Sequence, residues 1–354
     1  MGVGISAHGL AGAVAREGCI GTISSVDLRR LHPDLMLKTG CSRDRQAIEG
    51  ANLVALDREI RAARDIAGGR GMIAVNVMRA VSQYPDYVRQ ACASGADAIV
   101  VGAGLPFELP ELTADFPGVA LIPILSEARA IGLLLKKWLR KGRVPDAIVI
   151  EQPRYAGGHL GAARIDEVGD ARFDFAQVLP AARRLFAELG IAPIPLIVAG
   201  GINSPERVRE AIALGAAGVQ VGTPFAVTTE GDAHPEFKRV LAEARPEDIV
   251  TFMSVAGLPA RAVRTPWLAR YLEKEELLQR RARERRECTL GWDCLTHCGL
   301  RDGKAGMGQF CIDHHLAAAL RGDVERGLFF RGSEPVPFGA EIRPVRELVS
   351  YLLG

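Results

Sequence analysis

Seven short apolar runs, set at intervals filled by helix-like segments, constrain this chain more than any other feature. They are CIGTIS at 19–24, IAVNV at 73–77, AIVVG at 98–102, VALIPIL at 119–125, AIVIE at 147–151, PLIVA at 195–199 and GVQV at 218–221. Most are rich in β-branched residues and apolar on both faces, as strands buried on both sides must be. The segments between them read as helices: Tyr84–Ser94, Phe107–Ala114, Glu127–Lys141, Phe175–Leu189 and Pro205–Leu214. Ahead of these come Ala7–Glu17, stopped by Gly18, and an amphipathic stretch from about Asn52 to Ala67. Parallel strands need crossovers of this length, so the alternation predicts an α/β fold with a parallel sheet. A closed barrel of this type needs eight strands, one more than the chain shows. The chain also opens on Gly-Val-Gly, the kind of turn that follows a strand. The expectation is a TIM-type (β/α)8 barrel over residues 1–266 that lacks its first strand, then a helical, cysteine-containing extension over 267–354.

Composition excludes several classes. A net charge of +2 gives no case for nucleic acid or an anionic membrane surface. No apolar run approaches the roughly 18 residues of a transmembrane helix. The N-terminus lacks the charged start and long apolar core of a signal peptide. MGVGIS fits the letters of a myristoylation site, but a backbone turn is the better use of those glycines. The seven cysteines are an odd number in a chain of 354 residues, which argues against a disulfide framework and for a cytoplasmic protein.

Two places carry chemistry. Ala147–Gly161 begins as a buried strand and passes through a turn-prone piece to Gly157-Gly158-His159. Paired glycines let backbone pass close to a ligand, and an imidazole exchanges protons near neutral pH. A strand ending in both suits the carboxyl face of a barrel; a glycine turn with an incidental surface histidine is the alternative. The second place is Ala199-Gly200-Gly201-Ile202-Asn203-Ser204-Pro205-Glu206 followed by GVQVGTPF at 218–225. Ser204 suits an N-cap, Pro205 a first helical position and Glu206 a first turn. Two consecutive strand ends with small residues and free N–H groups make an anion cradle where barrels hold phosphate. No GxGxxG follows an early strand, so a Rossmann dinucleotide site is not supported.

With these motifs the sequence resembles the FMN-dependent nitronate monooxygenases, formerly 2-nitropropane dioxygenases, and the related flavin-dependent enoyl-acyl-carrier-protein reductases. The resemblance covers Met1 to Pro266. It rests on MGVGIS, Asn76 in AVNVM, Ala156-Gly157-Gly158-His159 with Gly161, AGGI at 199–202, GVQVGTPF, Thr229-Glu230 before AHPEFK, and GLPARAV at 257–263. It implies a barrel holding FMN at its carboxyl face. Gly200, Gly201, Gly222 and Thr223 would hold the phosphate, Asn76 and Gln220 would lie near the flavin, Gly157 and Gly158 would let the chain pass close, and His159 would be the catalytic imidazole. The loop Gln152-Pro153-Arg154-Tyr155 departs from the family pattern before AGGH and should border the substrate.

The resemblance implies oxidation of alkyl nitronates with O2 to carbonyl compounds and nitrite, His159 binding the nitro oxygens or removing an α-proton. The alternative is reduction of an activated double bond by NAD(P)H through the same flavin, and a third is a flavin-binding barrel without turnover. The partner is then a small-molecule substrate, with a homodimer as the expected assembly.

Beyond Pro266 the character changes. Glu273–Glu287 reads as a charged, solvated helix with six bases against five acids. Then come Cys288, Cys294, Cys298 and Cys311, with His297, His314 and His315 among them. Cysteines so grouped read first as a metal or iron–sulfur site, either [4Fe–4S] or tetrahedral zinc, with four unligated thiols as the alternative. The last three spacings resemble the cluster loop of the 2,4-dienoyl-CoA reductases, but five residues rather than two separate the first pair. The ending VRELVSYLLG reads as a helix packing on the barrel or a second subunit. Cys19, Cys41 and Cys92 read as core or incidental thiols. His8 follows the glycine turn and would approach the flavin, while His32 and His234 have no assigned partner.

Overall fold

The computed structural model describes residues 3–284, 287–288 and 290–354. All seven apolar runs are strands: β1 Ile20–Ser24, β2 Met72–Met78, β3 Ala98–Gly102, β4 Ala120–Leu125, β5 Ile148–Glu151, β7 Leu196–Ala199 and β8 Gly218–Gln220. They form one parallel sheet in the order β1-β2-β3-β4-β5-β7-β8. This curled sheet, jacketed by helices, is TIM-barrel-like. Among the described residues no eighth strand joins β8 to β1.

The pleat sorts the strand side chains. Ile73, Val75 and Val77 of β2 join the main core with the surrounding helices, and all three are buried. Ala74 faces the other way and packs with Ala98, Val100, Ile122, Val149 and Ala199 inside the sheet. Residues two further along on this inner face stand at the carboxyl end: Asn76 beyond Ala74, and Glu151 beyond Val149. Parity thus assigns polar residues to a site before any contact is considered.

Helices follow the expected spacing with shifted ends. Arg45–Ala67 starts seven residues before the expected Asn52, because Asp44 caps it by accepting from the Gln46 and Ala47 N–H groups at 2.9 and 3.3 Å. Ser204 caps Pro205–Ala213 as expected, accepting from Arg207 N–H at 3.3 Å. The charged helix is displaced from its expected place. It runs Pro266–Arg280, its start fixed by Pro266 at the first position and its inner face by buried Leu268 and Tyr271. Residues 285 and 286 of the expected helix lie outside the described residues.

Three pieces complete the carboxyl face. β9 Ile249–Met253 and β10 Pro259–Val263 pair antiparallel, and β10 also pairs with the two-residue β6, Gly158–His159. The helix Val345–Leu353 lies between the helices His8–Arg16 and Pro205–Ala213, its Val345 and Val349 packing on Leu10, Ala13 and Val14. Residues past 266 share the barrel's core, through Leu268, Tyr271, Phe310, Leu328 and Phe329.

Candidate active site

A cavity of about 500 Å³ opens at the carboxyl ends of the strands, a size usual for small-molecule sites. Asn76, Gly157, Gly158, His159, Gly200, Gly201, Gln220, Gly222 and Thr223 all line it. Four parts of the fold, the end of β2, the turn into β6, the turn after β7 and the stretch from β8 into the next short helix, bring these nine residues to one place.

His159 reaches the cavity by a different route from the one the sequence implied. It does not end β5. It lies eight residues beyond Glu151, on β6, where it pairs with Ala260 of β10. Its ring meets Phe330 at 5.6 Å between centroids. Its Nε2 is enclosed and has no hydrogen-bond partner. Burial lowers its pKa to about 3. The imidazole is thus neutral at pH 7, a hydrogen-bonding group rather than the near-neutral titrating one that its type suggested.

Glu151, at the end of β5, lines the same cavity. Burial raises its pKa to about 7, partly offset by Arg261. Sequence reading placed it in a strand and assigned it no role. Its inward parity with Val149 was the available signal.

The glycines serve the chain as well as any ligand. A Cβ on Gly157 would fall 2.4 Å from the Arg331 carbonyl carbon and the Gly332 nitrogen, so its bareness makes room for protein backbone. Gly200 and Gly201 have φ of +98° and +80°, and a Cβ on them would meet the Gln152 carbonyl at 2.8 Å and the Tyr155 ring at 3.0 Å. Gly222 differs: nothing stands within 4 Å of its Cβ position, at the start of the short helix Thr223–Ala226. Of the cavity glycines singled out in the sequence, Gly222 is thus the one with open space at its Cβ position.

The segment 328–335, which carried no recognised motif, walls this end. Gly332 N–H donates to Thr223 Oγ1 at 3.0 Å, Ser333 N–H to the Tyr155 carbonyl at 3.1 Å, and Asn203 Nδ2 to the Pro335 carbonyl at 3.0 Å. Arg331 is 2% exposed and lines the cavity. Its Nε donates to the Leu241 carbonyl at 2.8 Å and its Nη1 to the Gly332 carbonyl at 3.0 Å. Burial lowers its pKa, while Glu334 opposes that shift. Arg261 is also buried, donating to the Pro153 and Ala156 carbonyls and so fixing the turn that leads to His159.

Of the loop 152–155, only Tyr155 lines the cavity. Gln152 donates to Asp174 Oδ1 at 2.7 Å, and Arg154 to the Gly169 carbonyl at 2.5 Å. His8 does not line the cavity either. Its Nδ1 lies 2.7 Å from Glu59 Oε2, and His32 Nε2 lies 2.9 Å from Glu59 Oε1. That hydrogen bond raises the His8 pKa against the opposing effect of burial. His234 caps the Pro235–Glu243 helix. Cys41 is exposed, Cys92 is buried, and Cys19 lines the cavity.

The four C-terminal cysteines come close to one another, and all are free thiols. Burial raises the Cys294 pKa most, and Asp313, Cys311, Cys298 and Cys288 add to it in turn. Among the described residues, no group of three or more His, Cys, Asp or Glu is arranged to hold a metal ion. No helix among them is long and apolar enough to cross a membrane.

The residues present fit a flavin phosphate and ring: open space at Gly222, a buried guanidinium in the same cavity, and an imidazole without a hydrogen-bond partner in its wall. Comparison with known proteins agrees. A probable nitronate monooxygenase of Bacillus subtilis is 32% identical over 121 residues, 34% of this chain and 33% of that protein. The nitronate monooxygenase of Pseudomonas aeruginosa is 32% identical over 115 residues, 32% of this chain and 31% of its own length. The matched part is thus about a third of these curated relatives. FabK from Thermotoga maritima superimposes with a TM-score of 0.66 at 22% identity, covering 98% of this chain and 88% of that one. Nitroalkane oxidase from Streptomyces ansochromogenes gives 0.64 at 19%, covering 99% and 92%. At such identities these two structures share the fold. The profile of the nitronate monooxygenase family matches residues 1–354, and the chain belongs to that family of flavin-dependent oxidoreductases.

Proposed function

We propose that this chain binds FMN in the carboxyl-face cavity and oxidises alkyl nitronates with O2, giving a carbonyl compound and nitrite. The observation that carries the proposal is the neutral, unpartnered His159 imidazole in the wall of a cavity that Gly222 and Thr223 also line. FMN, when bound, supplies the electron acceptor for the substrate carbon and the path from it to O2. Gly222 and Thr223, with Arg331 beside them, would hold its phosphate, and Asn76 and Gln220 would lie along its ring.

His159 gives the nitronate oxygens one hydrogen bond from a site that excludes water, where such a bond is stronger than in solution. Glu151 is neutral below pH 7 and leaves the cavity free of a fixed negative charge, which suits an anionic substrate. Phe330 packs on the His159 ring and adds to its burial. The seven free thiols support a reducing compartment such as the cytoplasm as its setting. The test is oxygen uptake with nitrite release on adding an alkyl nitronate to FMN-loaded protein. Stoichiometric nitrite supports the proposal. NADPH-dependent reduction of an activated double bond, without nitronate turnover, overturns it.

A further inference from the structure

Cys288, Cys294, Cys298 and Cys311 have no part in the site above. They come from a stretch of 24 residues that the fold pins at three points. Leu295 bridges antiparallel to Val81, Ser82 N–H donates to the Cys294 carbonyl at 3.2 Å, and Thr296 N–H donates to the Ala80 carbonyl at 2.9 Å. This anchor lies just past the carboxyl end of β2. Gly299 N–H donates to the Val255 carbonyl at 2.7 Å and Gly308 N–H to the Ser254 carbonyl at 3.0 Å, just past β9. Arg30 Nη2 donates to Asp313 Oδ2 at 2.7 Å. Cys298 and Cys311 each stand immediately before a helix, Gly299–Asp302 and Ile312–Leu320. The second helix sends Leu316 and Ala319 into the wall of the catalytic cavity. The thiols are therefore held beside the carboxyl face of the barrel.

Their chemistry narrows the occupant. Four thiols gathered at one place form an all-sulfur donor set, which selects zinc, copper(I) or iron–sulfur. A single zinc ion draws four sulfurs to about 2.3 Å from one centre, and no such grouping is formed among the described residues. An iron–sulfur core interposes its own iron and sulfide and so accepts thiolates set wider apart. The buried indole of Trp292, between Cys288 and Cys294 in the chain, has an Nε1–H with no acceptor. The Arg29 guanidinium lies 5.7 Å over that ring. Asp27 and Thr39 already engage that guanidinium, so the orphaned indole donor is the group that suits the sulfide edge of an anionic core. We propose that Cys288, Cys294, Cys298 and Cys311 form the binding site of a [4Fe–4S] cluster seated beside the flavin cavity. The site stands whether or not nitronates are the substrate.

The test is anaerobic purification of the full chain, with reconstitution by ferrous iron and sulfide, followed by iron, zinc and acid-labile sulfide analysis and EPR after dithionite. These readouts are independent of turnover. About four irons and four sulfides per chain are expected. Cys288→Ser and Cys311→Ser should each lose most of that iron while keeping the wild-type melting curve, and Cys41→Ser should lose none. All four thiols are half-buried, and Cys288 is the decisive position because it is the first of the stretch, six residues before the Cys294–Thr296 anchor. One zinc per chain, no bound metal after reconstitution, or full iron retention in Cys288→Ser would each overturn the proposal.

Discussion

Two of the titratable groups that line the catalytic cavity are driven by burial to opposite ends of the scale. Glu151 is raised to about 7 and His159 lowered to about 3. Glu151 is the carboxyl whose raised pKa falls between pH 6 and 9, so an inflection of kcat/KM that Glu151→Gln abolishes belongs to it. Its ionised form sets a negative charge against an anionic substrate. If that form is inactive, the neutral fraction at pH 8 is about one-tenth, and kcat/KM falls about tenfold from its value at pH 6 and about a hundredfold by pH 9. Glu151→Gln keeps the shape and the neutral form, so its profile should stay level to pH 9 and equal wild type at pH 6. His159→Asn should keep the fall near pH 7 but run lower throughout. One hydrogen bond to a charged group is worth about 1.5–3 kcal/mol, or about 10- to 150-fold in kcat/KM. The assay is initial oxygen uptake with an alkyl nitronate across that range. An inflection that survives Glu151→Gln and disappears in His159→Asn would refute this assignment.

Burial of Glu151 also ties stability to pH. Its folded pKa lies above its unfolded one, so its contribution is complete below about pH 4 and is lost as pH rises through 7. Glu151→Gln should therefore melt higher than wild type at pH 8 and alike at pH 4.5; equal melting at both would contradict it. Arg331→Met should leave the Leu241 and Gly332 carbonyls without their donor and cost about 2–5 kcal/mol, with a lower FMN content per chain; denaturant melts and flavin absorbance check both. Gly157→Ala forces a methyl into the Arg331–Gly332 backbone and should cost about 1–3 kcal/mol, whereas Gly218→Ala, with nothing within 4 Å, should cost less than 1. Asp232 accepts from the Ala7, Gly9 and Leu10 N–H groups at 2.7, 2.9 and 3.1 Å, so Asp232→Ala should cost about 2–4 kcal/mol in urea melts.

The barrel was legible because a strand buried on both faces must be apolar at every position, a pattern that needs no knowledge of contacts. The hairpin β9–β10 was not, since Ile249–Met253 is half-buried and mixes Thr251 into its run. The residues at 76, 159, 200–201 and 220–223 were found by motif, and the structure gathers them in one cavity. What the motif could not give is the environment of each. His159 looks in sequence like an ordinary imidazole, and only its seat on β6 against Phe330 keeps it neutral. Gly157 looks like ligand room, but the backbone it yields to arrives from 174 residues later in the chain. Arg331 could not be found, because LFFRG has no pattern that sets it apart from any other apolar stretch ending in a cation.

The measurement that bears most directly on the central claim is an anaerobic titration of the FMN-loaded protein, following the flavin band near 450 nm. Addition of an alkyl nitronate should bleach the band, and readmitted O2 should restore it with release of nitrite. Bleaching by NADPH but not by the nitronate would contradict the account and make the protein a nicotinamide-dependent reductase.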